Sequence, residues 1–438
     1  MALRLSFKWI LIFEALFAGI YISLTKGLFV IYLTSIGQSV EQISFVVLIS
    51  SFASLLIGLI MYRNPSFITR RVKPKLVTVH ALERFTWMLM PLTTNIMAIS
   101  ALYSTYMVLS FLISTFIAFS IYGSLAESSI REVTAKRTAA NGLSSILGFV
   151  LGVFLLALLP AETKFAYIFT LGALVGLLST ILIVFIDLSH LEGVEFPKTI
   201  EQPEKIFSTS TFLIILMSAS NLLGIIWTPY VMNYLGGPDY LAASMNLAGT
   251  LASVTASIYW RNKSFKALRS GLALNALGPA IILAAPWPLA HVPISVYTSF
   301  TYTGANFLGV FLFANYNRWF GAVRSGILLG ILGNLAQLIA AFLGFFAREN
   351  FTLALLAVLA IKILAFVAVA FTVPEAAVVP EYVARSYSQI LYNSSLTGYR
   401  LSIEISKETI LTIFRLLALS LVITALVIIY RILWLMMV

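Results

Sequence analysis

Glu14, Lys26, His80, Glu83, Arg84 and Lys362 stand inside long apolar runs of this 438-residue chain. An ionised side chain at the centre of a bilayer costs at least about 2.5 kcal/mol, so each must pair, reach water or serve a function. Glu14, His80, Glu83 and Arg84 fall at similar depths. Glu14–Arg84 or His80–Glu83 ion pairs, structural or coupling, are therefore expected. Lys26 follows Gly19 and Ser23 on one helical face. A lysine with no protein counter-charge awaits an anionic group. Uncharged polar residues recur at helical spacing as Tyr103, Tyr106, Ser110 and Ser114, as Ser218, Asn221 and Thr228, and as Ser299, Thr303 and Asn306. They can hydrogen-bond a solute, or simply join helices at about 0.6 kcal/mol per bond.

Other chemistry is poorly served. The chain has three histidines and no cysteine, which leaves no thiolate, no disulfide and no metal-spaced His cluster. A phosphate-binding Gly-Lys-Ser/Thr loop and a nucleophile–His–carboxylate set are absent too. No enzyme activity, metal or cofactor is expected.

The elements that position these residues follow from composition. Hydrophobic residues make up 60% and charged residues 10% of the chain, with mean hydropathy +0.98. Runs of about 20 apolar residues cross a bilayer as helices, and these lack the alternation of barrel strands. Helices are expected near 9–33, 41–62, 75–95, 99–125, 139–160 and 164–187, then near 209–234, 240–260, 267–289, 291–316, 320–347 and 351–373. The fold class is an all-α polytopic membrane protein of two pseudo-symmetric six-helix bundles with an extra C-terminal helix. Residues 1–187 form the first half, 188–208 an acidic cytoplasmic linker and 209–373 the second half. Residues 374–438 hold a polar segment and a last apolar helix near 410–436.

Topology follows from Lys and Arg. With the N-terminus in the cytoplasm, nearly all of them lie in inner loops, and the outer side holds only Lys164, Arg348 and Arg431. The net charge of +11 thus reflects orientation rather than a nucleic-acid partner. A multi-pass protein of the cell membrane is expected, with the lipid bilayer as its constant partner. The C-terminal helix is expected to dock a protein partner or a second copy.

The chain also repeats itself. Tyr62-Arg63-Asn64-Pro65-Ser66-Phe67 returns as Trp260-Arg261-Asn262-Lys263-Ser264-Phe265, and Arg71 falls on Arg269 at the same offset. Tyr32-Leu33 before Gly37 matches Tyr234-Leu235 before Gly236-Gly237. Such repetition at two similar helix pairs reads as duplication. The run Y-L-x-x-x-G-x-S-x-x-Q-I, a second helix and a basic loop resemble the major facilitator superfamily of secondary transporters. So do Ala126-Glu127 with Arg131 and Arg137, and the six-plus-six layout. The likeness covers residues 1 to about 373. Gly58 and Arg63 match its Gly-x-x-x-Asp-Arg-x-Gly-Arg-Arg loop, but Tyr62 and Trp260 stand where the Asp belongs; in that family the Asp and Arg residues lock the halves in the outward-open state, so the resemblance implies an altered or weaker lock here.

That resemblance implies that helices 1, 4, 7 and 10 line a central cavity between rocking halves. Lys26, Ser23, Ser114, Asn221, Thr303 and Asn306 are then the expected substrate-binding residues, with Lys26 reading an anionic group. Glu14 is the lone carboxylate on those helices, which argues against proton coupling by a central acid. Arg63, Arg71, Arg261 and Arg269 are expected gating residues. Gly148/Gly152 and Gly326/Gly330 are expected where the halves slide, or as plain packing. The function implied is alternating-access transport of a small, anionic solute. A flippase for lipid-linked or amphipathic substrates and a non-transporting scaffold subunit are the alternatives.

Overall fold

The computed structural model describes residues 7–64, 66–125, 127–193, 204–314 and 317–397 with 400, 404 and 407; of 127, 128, 131, 204, 205, 317–320 and 322 the backbone alone is described. The first half comprises α1 (Phe7–Ser35), α2 (Val40–Arg63), α3 (Val72–Leu89), α4 (Ile96–Ser124), α5 (Glu127–Leu158) and α6 (Lys164–Val184). The second comprises α7 (Ile206–Tyr234), α8 (Asp239–Trp260), α9 (Phe265–Ala284), α10 (His291–Ala314), α11 (Asn317–Ala347) and α12 (Phe351–Thr372). Strands are absent among the described residues. Ten of these helices are long and apolar enough to cross a bilayer. The other two are the polar ones: α3 carries Lys73, Lys75, Glu83 and Arg84, and α10 is rich in Ser, Thr and Tyr. The molecule is a multi-pass helical membrane protein.

The helix contacts state the duplication directly. In the first half α1 packs on α5 and α6, α2 on α4, and α3 on α4 and α6. In the second, α7 packs on α11 and α12, α8 on α10, and α9 on α10 and α12. Shifting every number by six turns one set into the other. The halves meet along α2 against α11 and along α5 against α8, again related by that shift.

The turn between α1 and α2 shows how sequence sets the reversal. Gly37 takes φ +82°, and Gln38 N–H donates to Leu33 C=O at 3.0 Å, closing α1 with a left-handed cap. Ser39 then opens α2 with a capping box, accepting from Gln42 N–H and donating its own N–H to Gln42 Oε1 at 2.9 Å. We call this end of the bundle the turn end and the opposite one the basic end. At the turn end one apolar core takes side chains from both halves, among them Phe29, Tyr32, Ile226 and Tyr230. At the basic end the cores separate: one surrounds Phe116 and borrows only Val323, Ile327 and Ile331 from α11, and the other surrounds Trp260 and Phe313. The halves are therefore held together at the turn end.

Several expected elements are corrected. Helix 1 is not continuous: α1 breaks at Thr25 (φ −112°, ψ −90°), makes a 3-10 turn over Lys26–Leu28 and resumes at Phe29. Thr25 donates its hydroxyl back to Tyr21 C=O at 2.7 Å, a bond that bends helices, and Gly27 weakens the next turn. Helix 9 is broken as well, at Leu277 before Gly278-Pro279. Proline has no N–H and its ring clashes with the carbonyl four residues earlier. Helix 5 starts at Glu127 rather than near 139, which draws Arg137 inside it. Part of the expected polar segment is helical over 381–397 (α13), docked by a Ser388–Ser208 hydroxyl contact at 2.5 Å and by Tyr392 against Phe207. Residues 194–203 of the linker and the expected last helix near 410–436 lie outside the described residues.

Candidate functional site

Lys26 sits in the break of α1. Its side chain is solvent-accessible, and no described carboxylate lies within the 4.0 Å of an ion pair. The next residue ties the break to the opposite half: Asn246 of α8 donates its side-chain N–H to Gly27 C=O at 2.9 Å. A broken helix offers carbonyls and N–H groups that a continuous one keeps for itself. Past the break, Phe29 stacks on Tyr103 of α4 with centroids 4.1 Å apart, and Trp87 of α3 stands edge-on to both.

The other expected substrate contacts divide. The side-chain amides of Asn221 on α7 and Asn306 on α10 are half-buried and hydrogen-bond to no described residue. They are available to a solute. Ser114 on α4 is exposed, although its hydroxyl donates to Phe111 C=O at 2.8 Å. Ser23 and Thr303 are placed differently. Ser23 is buried with its hydroxyl between Gly19 C=O at 2.9 Å and Ser145 C=O of α5 at 3.0 Å. Thr303 is buried and donates to Ser299 C=O at 2.9 Å. The Gly19 face of α1 is covered by α5 rather than open to the centre, which commits the Ser23 hydroxyl, while the Thr303 hydroxyl bonds back within α10 itself.

Glu14, His80, Glu83 and Arg84 form, with Arg137, one buried network inside the first half. Arg137 of α5 donates to Glu14 Oε2 at 2.5 Å and to Leu11 C=O at 3.1 Å. Glu14 Oε1 lies 3.5 Å from His80 Nε2. Arg84 donates to its neighbour Glu83 and to His80 Nε2 at 3.1 Å, while His80 Nδ1 meets Thr180 Oγ1 of α6 at 2.9 Å. The expected Glu14–Arg84 and His80–Glu83 pairs are thus replaced by Glu14–Arg137, Glu14–His80 and Arg84–Glu83. Arg137 was missed because its stretch reads as a loop. Tyr21 lays its ring against Arg84 at 4.6 Å, closing the network on the α1 side.

The basic-end arginines are not equivalent. Arg63, Arg71 and Arg261 are exposed, and Arg71 holds the left-handed residue (φ 50°) before α3. Arg269 is half-buried and donates to Ala376 C=O at 2.7 Å and to Ala377 C=O at 2.8 Å. It fastens α9 to the chain beyond α12 within its own half. The four expected gating arginines therefore differ across the repeat. The glycine pairs differ likewise: ideal Cβ atoms on Gly148 and Gly152 would meet Ser23, Ile20 and Leu28 of α1 in the same half, whereas one on Gly330 would meet Phe111 of the other. No group of three or more potential metal ligands occurs among the described residues.

No protein-family model matches the sequence, and no curated protein matches it either. Solved structures do. A bacterial homologue of the iron transporter ferroportin in its inward-facing state aligns with TM-score 0.63 at 14% identity, over 82% of this chain and 97% of its own. The nucleoside transporter NupG aligns with TM-score 0.61 at 11% identity, over 83% and 98%. The human organic anion transporter MFSD10 aligns with TM-score 0.55 at 11% identity, over 84% and 100%. All three are major facilitator transporters. Two six-helix halves repeating one contact pattern, closed on each other at one end and matching these chains over nearly their full length, give this protein the major facilitator fold.

Proposed function

We propose that the chain is a secondary membrane transporter that moves a small anionic solute by alternating access between its halves. The observation that carries this reading is Lys26: an accessible ammonium at a break in α1, with Glu83 acting on it only from beyond ion-pair distance, in a fold whose solved neighbours are transporters. A charge left unpaired inside a membrane domain costs several kcal/mol unless it meets water or an anion. An anionic substrate removes that cost at the moment of binding. Asn221 and Asn306, on the opposite half, supply uncommitted amides for its polar groups. The substrates named for the neighbours are nucleosides, iron and organic anions, and only the last class suits a lysine. The N-terminus and the basic end face the cytoplasm in this reading, by the distribution of Lys and Arg.

The experiment is uptake into liposomes over a panel of small organic and inorganic anions. Lys26→Met should lower uptake of the transported anion by about tenfold or more, with folding and expression unchanged. Uptake equal to that of the unmodified protein overturns the role of Lys26.

One observation favours a second reading, an amphipathic substrate. The seam of α2 and α11 carries a cavity of about 350 Å³ lined by Leu48, Phe52, Leu338, Ile339, Phe342 and Leu343, all apolar. An acyl chain fits that chemistry. Scrambling of a fluorescent acidic lipid, with no uptake of any soluble anion, would select this reading over the first.

A further inference from the structure

The sequence keeps Lys and Arg away from the turn-end loops, and the two described exceptions are Lys164 and Arg348. Both pair with an acid of the opposite half. Lys164, the first residue of α6, forms an ion pair with Asp239, the first residue of α8. Arg348, just before α12, lies 3.9 Å from Glu41 in the first turn of α2. Shifting helix numbers by six carries α6 to α12 and α8 to α2. The two pairs are thus one contact made twice.

We infer that these symmetry-related ion pairs are a two-point latch that holds the turn end shut. The inference rests on the alternating-access reading above. The two points are unequal. Lys164 and Asp239 are mostly buried, with side-chain exposures of 13% and 11%, whereas Arg348 and Glu41 remain 77% and 41% exposed. A desolvated pair is costly to break, because each partner is left as an uncompensated charge; an exposed pair contributes little. The Asn246 bond to Gly27 lies on the same side, between α8 and the break in α1, and is lost with the latch when the halves separate. Opening of the turn end therefore begins with rehydration of Lys164 and Asp239. Charge at this position, rather than the basic-end arginines, sets the resting state.

The absence of cysteine makes the test direct. Spin labels at Thr94→Cys and Leu289→Cys, both exposed in turn-end loops, report that end; Ser66→Cys and Asn262→Cys report the basic end. Distances are measured in lipid nanodiscs by electron–electron resonance. In Lys164→Gln the ratio of long to short turn-end distances should rise about tenfold, and the exchanged pair Lys164→Asp/Asp239→Lys should return it towards the starting value. Arg348→Gln should move it by about twofold or less. An unchanged ratio in the Lys164→Gln/Arg348→Gln double variant, or an exchange that restores nothing, overturns the latch. Two distances whose ratio ignores the ion pairs sink the latch alone. One fixed distance at each end in every variant sinks alternation as well.

Discussion

Lys362 of α12 donates its ammonium to the backbone carbonyl of Asn275 in α9 at 3.2 Å, and that carbonyl stands four residues before Pro279, which has no N–H to offer it. The lysine supplies from another helix the donor that the proline removed. Lys362 is 1% exposed, and the Asn275 amide is anchored to Thr298 C=O and Thr301 Oγ1, both at 3.0 Å. Lys362→Met should lower stability by about 1–3 kcal/mol, the cost of a buried acceptor left unmet. Pro279→Ala restores the helical N–H and should recover most of that loss. Unfolding midpoints of the two single variants and the double variant form the cycle. Equal losses from Lys362→Met in both backgrounds would show that the lysine does not replace the missing donor.

The Glu14–Arg137 pair predicts a different non-additivity. Each partner keeps the other from being a lone charge in the first half. Arg137→Met alone should destabilise by about 3–5 kcal/mol, and Glu14→Gln alone by a similar amount. The double variant should cost less than either, since neither charge then remains. Thermal unfolding in detergent reads this. Additive losses would mean that the two residues act through separate partners.

How much of this was legible follows from what helical periodicity can report. The long helices were visible because crossing a bilayer requires uninterrupted apolar length. The duplication was visible in Tyr62-Arg63-Asn64 and Trp260-Arg261-Asn262. The charge at Lys26 was equally plain, but the break beneath it was hidden. Thr25-Lys26-Gly27 lies inside an otherwise helical run, and a change of backbone angles at one residue leaves the pattern of apolar positions intact. Spacing also placed Ser23 on the Lys26 face without saying which neighbour meets that face. Here it is α5, at Ser145 and Gly148. Asn246 lies on α8, outside the helices 1, 4, 7 and 10 whose polar stripes stand out in the sequence. The ion pairs of the turn end were out of reach, because pairing across the halves depends on how the second bundle sits against the first.

Close approach at the α1–α5 seam predicts a sharp contrast between glycines. An ideal Cβ on Gly19 would fall 2.0 Å from Ser144 Oγ and 2.5 Å from Asn141 C=O. The serine can turn away, but the carbonyl belongs to backbone and the helices must part. Gly326→Ala meets no atom within 4 Å. Gly19→Ala should therefore reduce the monodisperse fraction and lower the melting temperature by several degrees, as overpacking costs about 1–3 kcal/mol. Gly326→Ala should be neutral or slightly stabilising through its gain in helix propensity. Equal behaviour of the two variants would deny the close packing of α1 on α5.

Arg71 and Arg269 occupy the same place in the repeat but should respond differently to one substitution. Arg269 donates to two carbonyls beyond α12, Ala376 and Ala377, and so fixes the start of the segment that leads into α13. Arg269→Gln removes two charge-assisted bonds, each worth about 1.5–3 kcal/mol when buried and less at this half-exposed site. It should loosen α13, raising amide exchange over 381–397 and lowering the melting temperature. Arg71 is exposed, and its contribution is a left-handed backbone that any side chain finds strained. Arg71→Gln should leave both readouts unchanged, and Arg71→Gly should raise the melting temperature by relieving that strain. If Arg71→Gln and Arg269→Gln shift the ratio of turn-end to basic-end opening equally, with no change in exchange at α13, the two arginines are a matched gate after all. Exchange confined to α13 in the Arg269 variant alone is the outcome that the hydrogen bonds require.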